Sequence, residues 1–180
     1  MKKVKLPLTE ETVASLRAGD AVLLSGVLYT ARDAAHKRMH EKIAKGEELP
    51  FDLKNNTIYY VGPTPAKPGM AIGSAGPTTS SRMDAYTPEL LNLGLKGMLG
   101  KGRRSPQVKQ AIVANKAVYF IACGGAGALI SHCIKKREPI AFEELLSEAV
   151  TRLTVEDLPC FVGIDADGND IYEMDGEIEK

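Results

Sequence analysis

The stretch that decides the fold is Thr87–Cys123, "TPELLNLGLKGMLGKGRRSPQVKQAIVANKAVYFIAC". Thr87-Pro88-Glu89 combine an N-cap, a proline at the first helical position and an acid in the first turn, which predicts a helix over "PELLNLG". "LKGMLG" is short and apolar enough for a strand. Ser105-Pro106 is a second cap followed by proline. It opens "QVKQAIVANK", whose Val108, Ala111, Ile112 and Asn115 lie on one helical face. "AVYFIAC" reads as a buried strand. Helix, strand, helix and strand in direct succession predict an α/β fold.

Toward the N-terminus, Thr9 is a cap for "EETVASLR", stopped by Gly19-Asp20. "AVLLSGVLYTAR" reads as two short strands hinged at Ser25-Gly26, a hairpin or a bulged pair. Asp33 is the expected N-cap and Gly46 the expected C-cap of "AAHKRMHEKIAK". "TIYYVGP" is a strand by its β-branched and aromatic content. Toward the C-terminus, "GGAGALISHCIKK" reads as a Gly-rich turn into a helix and "AFEELL" as a further helix. "CFVGIDADGNDIYEM" reads as a hairpin turned at Asp167-Gly168-Asn169. The sum is a mixed sheet covered by helices. No repeat or boundary divides the chain, so residues 1–180 are expected to form a single domain.

The 180 residues are 44% hydrophobic and 26% charged, enough for a real core. Lys plus Arg and Asp plus Glu are both 23, so the basic excess of a nucleic-acid binder is missing. No secretory signal is expected of "MKKVKLPLTEE", and no apolar run reaches the ~18 residues of a membrane span. A cytoplasmic protein is expected. Cys123, Cys133 and Cys160 form no C-x-x-C pair. That argues against a disulfide framework or a self-contained zinc or iron–sulfur site, and no metal site is expected on this chain.

Four junctions carry candidate chemistry. In "GSAGPTTSSRMDAY", Gly73–Tyr86, glycines allow close backbone approach, hydroxyls follow, and Arg82 lies one turn beyond Thr78. A helix starting near Thr79 would aim free N–H groups at the turn and attract an anion; a well-capped helix with a surface Arg is the plain alternative. Lys101 stands between Gly100 and Gly102, at a strand end facing a helix start. "GKGRRS" lacks the P-loop spacing, and a solvated basic turn is its alternative. Arg32 precedes Asp33 at another strand end, with His36 in the following turn. His36 and His40 have the spacing of a metal pair, but "HKRMH" lacks the Glu of the zinc motif and no third ligand is evident. "DADGND" does not match the calcium loop, nor "CGGAGALI" the dinucleotide turn. Together Arg32, Thr78, Arg82 and Lys101 suggest a pocket for a small, doubly negative ligand.

In order and spacing, "ARDAAH", "GPTTSSRMD" and "GKGRRS" resemble the β-type half of the class I, iron–sulfur-dependent fumarases and L(+)-tartrate dehydratases. The resemblance runs from "LRAGD" to "GNDIYE". It implies a swivelling β/β/α domain like the mobile domain of aconitases, and a separate β subunit. It also implies a [4Fe–4S] cluster ligated by an α subunit, with none bound by this chain and no activity without that partner. Arg32, Arg82 and Lys101 match positions that bind the dicarboxylate substrate. Thr78 matches the hydroxyl proposed as catalytic base, and His36 an active-site histidine. Where the family often has Asn before an Arg after its Lys-Gly, this chain has Arg103-Arg104. Fumarate hydratase is the reading the resemblance favours. Tartrate dehydratase, or a stand-alone anion-binding module, are the alternatives.

Overall fold

A computed structural model describes residues 1–122 and 125–174. Cys123 and the start of "CGGAGALI" lie outside the described residues. The order is β1 (Lys2–Lys5), α1 (Glu10–Ser15), β2 (Ala21–Thr30), α2 (Asp33–Ala44), β3 (Thr57–Tyr59), a 3-10 turn (Ser80–Met83) and α3 (Thr87–Asn92). There follow β4 (Gly97–Gly100), α4 (Pro106–Asn115), β5 (Val118–Ala122), α5 (Gly127–Cys133), β6 (Ile134–Ala141), a second 3-10 segment (Glu143–Glu148), β7 (Val150–Ile164) and α6 (Ile171–Met174). The class is mixed α/β, as the alternation predicts.

Strands β2, β3, β4 and β5 are parallel neighbours in chain order. The long β7 runs antiparallel to both β5 and β2, so the sheet closes on itself. β1 extends it beside β2, and β6 beside β7. Successive side chains on a strand point to opposite faces, and here both faces are covered. Tyr59, Leu99, Val118 and Phe120 pack in one core with residues of α1 and α5. Ile58, Tyr60, Met98 and Tyr119 pack in the other with residues of α2, α3 and α4. Burial on both sides explains why β3, β4 and β5 are short and nearly continuous in apolar residues.

Several local expectations need correction. "AVLLSGVLYT" is one strand, bulged against β7 where Leu24 pairs with Leu158 and Gly26 with Val155. Gly26, at φ 129°, has the backbone of Leu6 where a Cβ would stand, so the glycine permits the kink without ending the strand. Arg32, not Asp33, occupies the N-cap of α2. The Glu148 carboxylate, from the second 3-10 segment, accepts from Ala34 N–H at 3.3 Å. Tyr86, not Thr87, caps α3. The Thr87 hydroxyl donates instead to the Met83 carbonyl, at 2.9 Å. The helix from "GGAGALISHC" stops at Cys133, and "IKKREPIA" is strand. The C-terminal hairpin is reduced to one bridge, Ile164 to Asp170. Asp165 accepts N–H bonds from Ala18, Asp167 and Asn169 there, which makes "DADGND" a turn stabilised by its own carboxylate.

Candidate active site at the C-terminal ends of the parallel strands

The strand ends set the positions. Arg32 follows the end of β2, Tyr60–Gly62 follow β3, and Lys101 follows β4. In parallel sheets this edge is where loops and helix starts converge, and where ligands bind. The "GPTTSSR" segment is laid across it like a short extra strand. Pro77 bridges Val61 and Thr79 bridges Lys101. Thr78 N–H donates to the Tyr60 carbonyl at 2.7 Å, and Ser80 N–H to the Lys101 carbonyl at 2.9 Å. These bonds correct the expectation of a helix start with free amides. What begins at Ser80 is a four-residue 3-10 turn, and the amides of Thr78 and Ser80 fasten the loop to the sheet. Those two amides are therefore not available to an anion.

The structure brings four of the five candidate residues to this edge. Arg32 is partly buried with its guanidinium against Gly62, where a Cβ would overlap Nη1. Arg82 donates from Nε to Asp33 Oδ1 at 3.0 Å while its side chain stays 52% exposed. Thr78 is partly buried, and Thr79 and Lys101 are exposed. Arg32 Nε and Asp33 Oδ2 are buried without a partner. The edge therefore holds three cations, a threonine hydroxyl and polar atoms with unused hydrogen-bonding capacity.

His36 is set apart from the other four. It is 1% exposed, under the edge, with its ring against Tyr60 and Tyr86 at centroid distances of 5.5 and 6.0 Å. Its Nδ1 lies 2.8 Å from the Arg32 carbonyl. A carbonyl only accepts, so Nδ1 carries the proton. Nε2 is then a bare acceptor, buried and without a partner. Burial holds the imidazole pKa down at about 4, with the Arg104 charge adding and the Arg32 bond and Asp33 opposing. The ring is neutral at pH 7. It reaches the edge through the Arg32 backbone, not through its own exposed face. His40 has Nδ1 at 2.7 Å from Glu89 Oε2. Among the described residues no three His, Cys, Asp or Glu side chains gather as a metal-binding group.

A second layer was not legible as function in the sequence. Arg104 is buried and holds Asp84 Oδ1 from Nε at 2.7 Å. Its Nη2 donates to Thr87 Oγ1 at 2.9 Å and to Tyr60 Oη at 3.3 Å. Its guanidinium lies over the rings of Tyr119 and Tyr60, at 4.9 and 5.2 Å from their centroids. Burial opposes its charge, yet Tyr60 and Asp84 beside it hold its pKa above the ordinary value. Asp84 Oδ2 also accepts from Ser105 N–H at 2.7 Å, at the start of α4. The Asp of "RMD" and the second Arg of "GRR" are thus one buried tie between the two loops. The signal available was two motifs separated in sequence, each carrying an opposite charge beside the candidate cations. Arg103, by contrast, is exposed and stacks 4.9 Å from the Tyr172 ring centroid.

The whole chain is similar to known proteins. The chain is 40% identical over 153 residues to "Fumarate hydratase class I, aerobic" of Salmonella typhimurium, covering 84% of this chain and 26% of that protein. It is 42% identical over 156 residues to "Fumarate hydratase 2" of Leishmania major, covering 86% of this chain and 28% of that one. The chain thus spans little more than a quarter of these relatives. It is 38% identical over 172 residues to "Putative L(+)-tartrate dehydratase subunit beta" of Methanocaldococcus jannaschii, covering 92% of this chain and 88% of that protein. The family model described as "Fumarase C-terminus" matches residues 1–175, and this chain belongs to that family.

Proposed function

We propose that this chain is the β-type part of a class I fumarate hydratase, catalysing reversible hydration of fumarate to (S)-malate together with an α partner. The observation that carries the proposal is the grouping of Arg32, Arg82, Lys101 and Thr78 on one edge. We further read residues 1–180 as one swivelling β/β/α domain, inactive alone and cytoplasmic. No helix among the described residues is long and apolar enough to cross a membrane. Among the described residues no metal-binding group is gathered, so these do not fit a [4Fe–4S] cluster. The proposal therefore assigns the cluster to the partner.

The task left to this chain is charge and proton handling. Removing a proton beside a carboxylate drives negative charge into that carboxylate, and cations held in place stabilise the charge as it develops. Arg82 presents a planar fork suited to a carboxylate, now occupied by Asp33 Oδ1. A substrate carboxylate would take up the donors that Asp33 leaves open. Arg32 and Lys101 supply the other two cations. Thr78 is the proposed proton acceptor. A threonine hydroxyl is a very poor base unless neighbouring positive charge favours its alkoxide. Its backbone is fixed by the bond to Tyr60, which limits the reorganisation such a step needs. His36, the other residue expected to be catalytic, is neutral and buried, and we read it as supporting Arg32 from below.

One observation favours a second reading. The relative whose own length this chain nearly matches carries a tartrate dehydratase name. Malate and tartrate differ by one hydroxyl, and cations that read carboxylates barely separate them. The deciding experiment loads the assembled α–β complex and assays malate, fumarate and L(+)-tartrate. Malate–fumarate interconversion is expected. Turnover of tartrate alone would move the assignment to the second reading. Turnover of none would return the chain to an anion-binding module.

A further inference from the structure

We infer that Tyr119 is a positioning residue that fixes the spacing between the Thr78 loop and the Lys101 loop. The inference rests on the proposed function for its catalytic consequence, but its geometry stands on its own. Tyr119 belongs to β5, pairs with Met98 of β4 and is fully buried. Its Oη lies 2.8 Å from Ser80 Oγ and 2.9 Å from the Gly102 carbonyl. The carbonyl can only accept, so the single phenolic hydrogen goes to Gly102. The Ser80 hydroxyl then donates to the phenol oxygen. One buried atom thus joins the residue two after Thr78 to the residue after Lys101.

The surroundings are shaped for this bridge. Gly100 has no Cβ, and one placed there would overlap Ser80 Oγ and stand 2.8 Å from Tyr60 Cδ2. Gly102 adopts φ 82°, which turns its backbone after Lys101. Ser80 N–H donates to the Lys101 carbonyl, so backbone and side chain of Ser80 tie to neighbouring residues of one loop. Ser80 looked in the sequence like one more hydroxyl for an anion. In the structure it is 0% exposed and its hydroxyl faces the tyrosine. The chemistry-bearing Thr78 and Lys101 are held by partners that do not themselves face solvent.

Tyr119→Phe is the informative variant, because the ring stays and only the bridging oxygen goes. In the assembled complex, turnover of malate should fall roughly tenfold to a hundredfold, more than affinity does, as misplaced groups at a reacting centre predict. The Ser80→Ala/Tyr119→Phe double variant should be no slower than Tyr119→Phe, because the bridge is already broken. A ring that only fills core predicts additive or absent kinetic effects. Amide exchange followed by NMR on the full chain gives a readout free of activity. Tyr119→Phe should speed exchange at Ser80 N–H while Phe120 N–H in the strand stays protected. Unchanged turnover in an active complex, or unchanged Ser80 exchange, overturns the inference. If the wild-type complex turns over none of the three substrates, exchange alone decides. Faster exchange at Ser80 then upholds the tie while the hydratase reading falls.

Discussion

Arg82 and Arg104 each hold an aspartate, at 3.0 and 2.7 Å, yet they stand in opposite surroundings. The Arg82 and Asp33 side chains are 52% and 35% exposed; those of Arg104 and Asp84 are 0% and 13% exposed. At the edge, water competes for both partners, and an exposed pair contributes ~0–1 kcal/mol. Such a pair can open for a ligand at little cost. In the interior, removing one partner strands a desolvated charge, so the pair is fixed. Each within a few residues, "SSRMD" and "GKGRRS" contribute to both layers: Arg82 and Lys101, exposed, above, and the Asp84–Arg104 pair below.

The largest expected effect is on the buried pair. Arg104→Ala should cost about 3–5 kcal/mol of stability, read from the urea midpoint of the full chain. A loss under ~1 kcal/mol would make Arg104 another exchangeable cation and erase the contrast.

His36 sharpens it through pH. Its folded pKa of about 4 lies below the ordinary 6.5, because burial disfavours the imidazolium. Between those values the unfolded chain binds a proton that the folded chain does not. Stability is therefore present above pH 6.5 and is lost as pH falls toward 4, by on the order of 3 kcal/mol. His36→Gln should flatten that part of the stability–pH curve relative to wild type. Equal slopes over this window would mean that the ring is not desolvated.

Gly100→Ala probes the packing that joins the two layers. The added methyl meets Ser80 Oγ and the Tyr60 ring, and overpacking of this kind costs about 1–3 kcal/mol. A melting temperature equal to wild type would show that the loop yields freely. The smallest stability effect belongs to the exposed pair: Arg82→Ala should leave the urea midpoint within ~1 kcal/mol of wild type.

These two layers also mark what the sequence could reveal. Capping grammar located Thr9 and Ser105, whose side chains accept from Thr12 and Val108 N–H. Apolar runs located β3, β4 and β5, because strands buried on both faces show no polar interruption. β6 escaped because "KKRE" is a charged edge strand, a composition that protects an unpaired edge but reads as solvated helix. Only the end of β7, "CFVGI", was read as strand; the rest of it escaped for a geometric reason. Val155 and Leu158 are both buried across the bulge at Glu156-Asp157, which breaks the two-residue alternation a strand is recognised by. At the site, Arg32 and Lys101 stood out because each follows a strand, and Thr78 and Arg82 because they belong to the "GPTTSSR" run. Arg104, Asp84, Ser80 and Tyr119 were not, because their partners are assembled by tertiary pairing across 20 to 39 residues. A neutral, buried His36 was hidden for the same reason: one residue type serves at an edge or in a core.

The most direct test of the account is turnover of malate by the assembled α–β complex carrying Arg82→Ala, alongside its unfolding midpoint. If the exposed cation is a substrate-carboxylate grip, the variant should lose about 100-fold or more in turnover, about 3 kcal/mol of barrier, with the midpoint nearly unchanged. Near-normal turnover would contradict the account and leave Arg82 as a surface partner of Asp33.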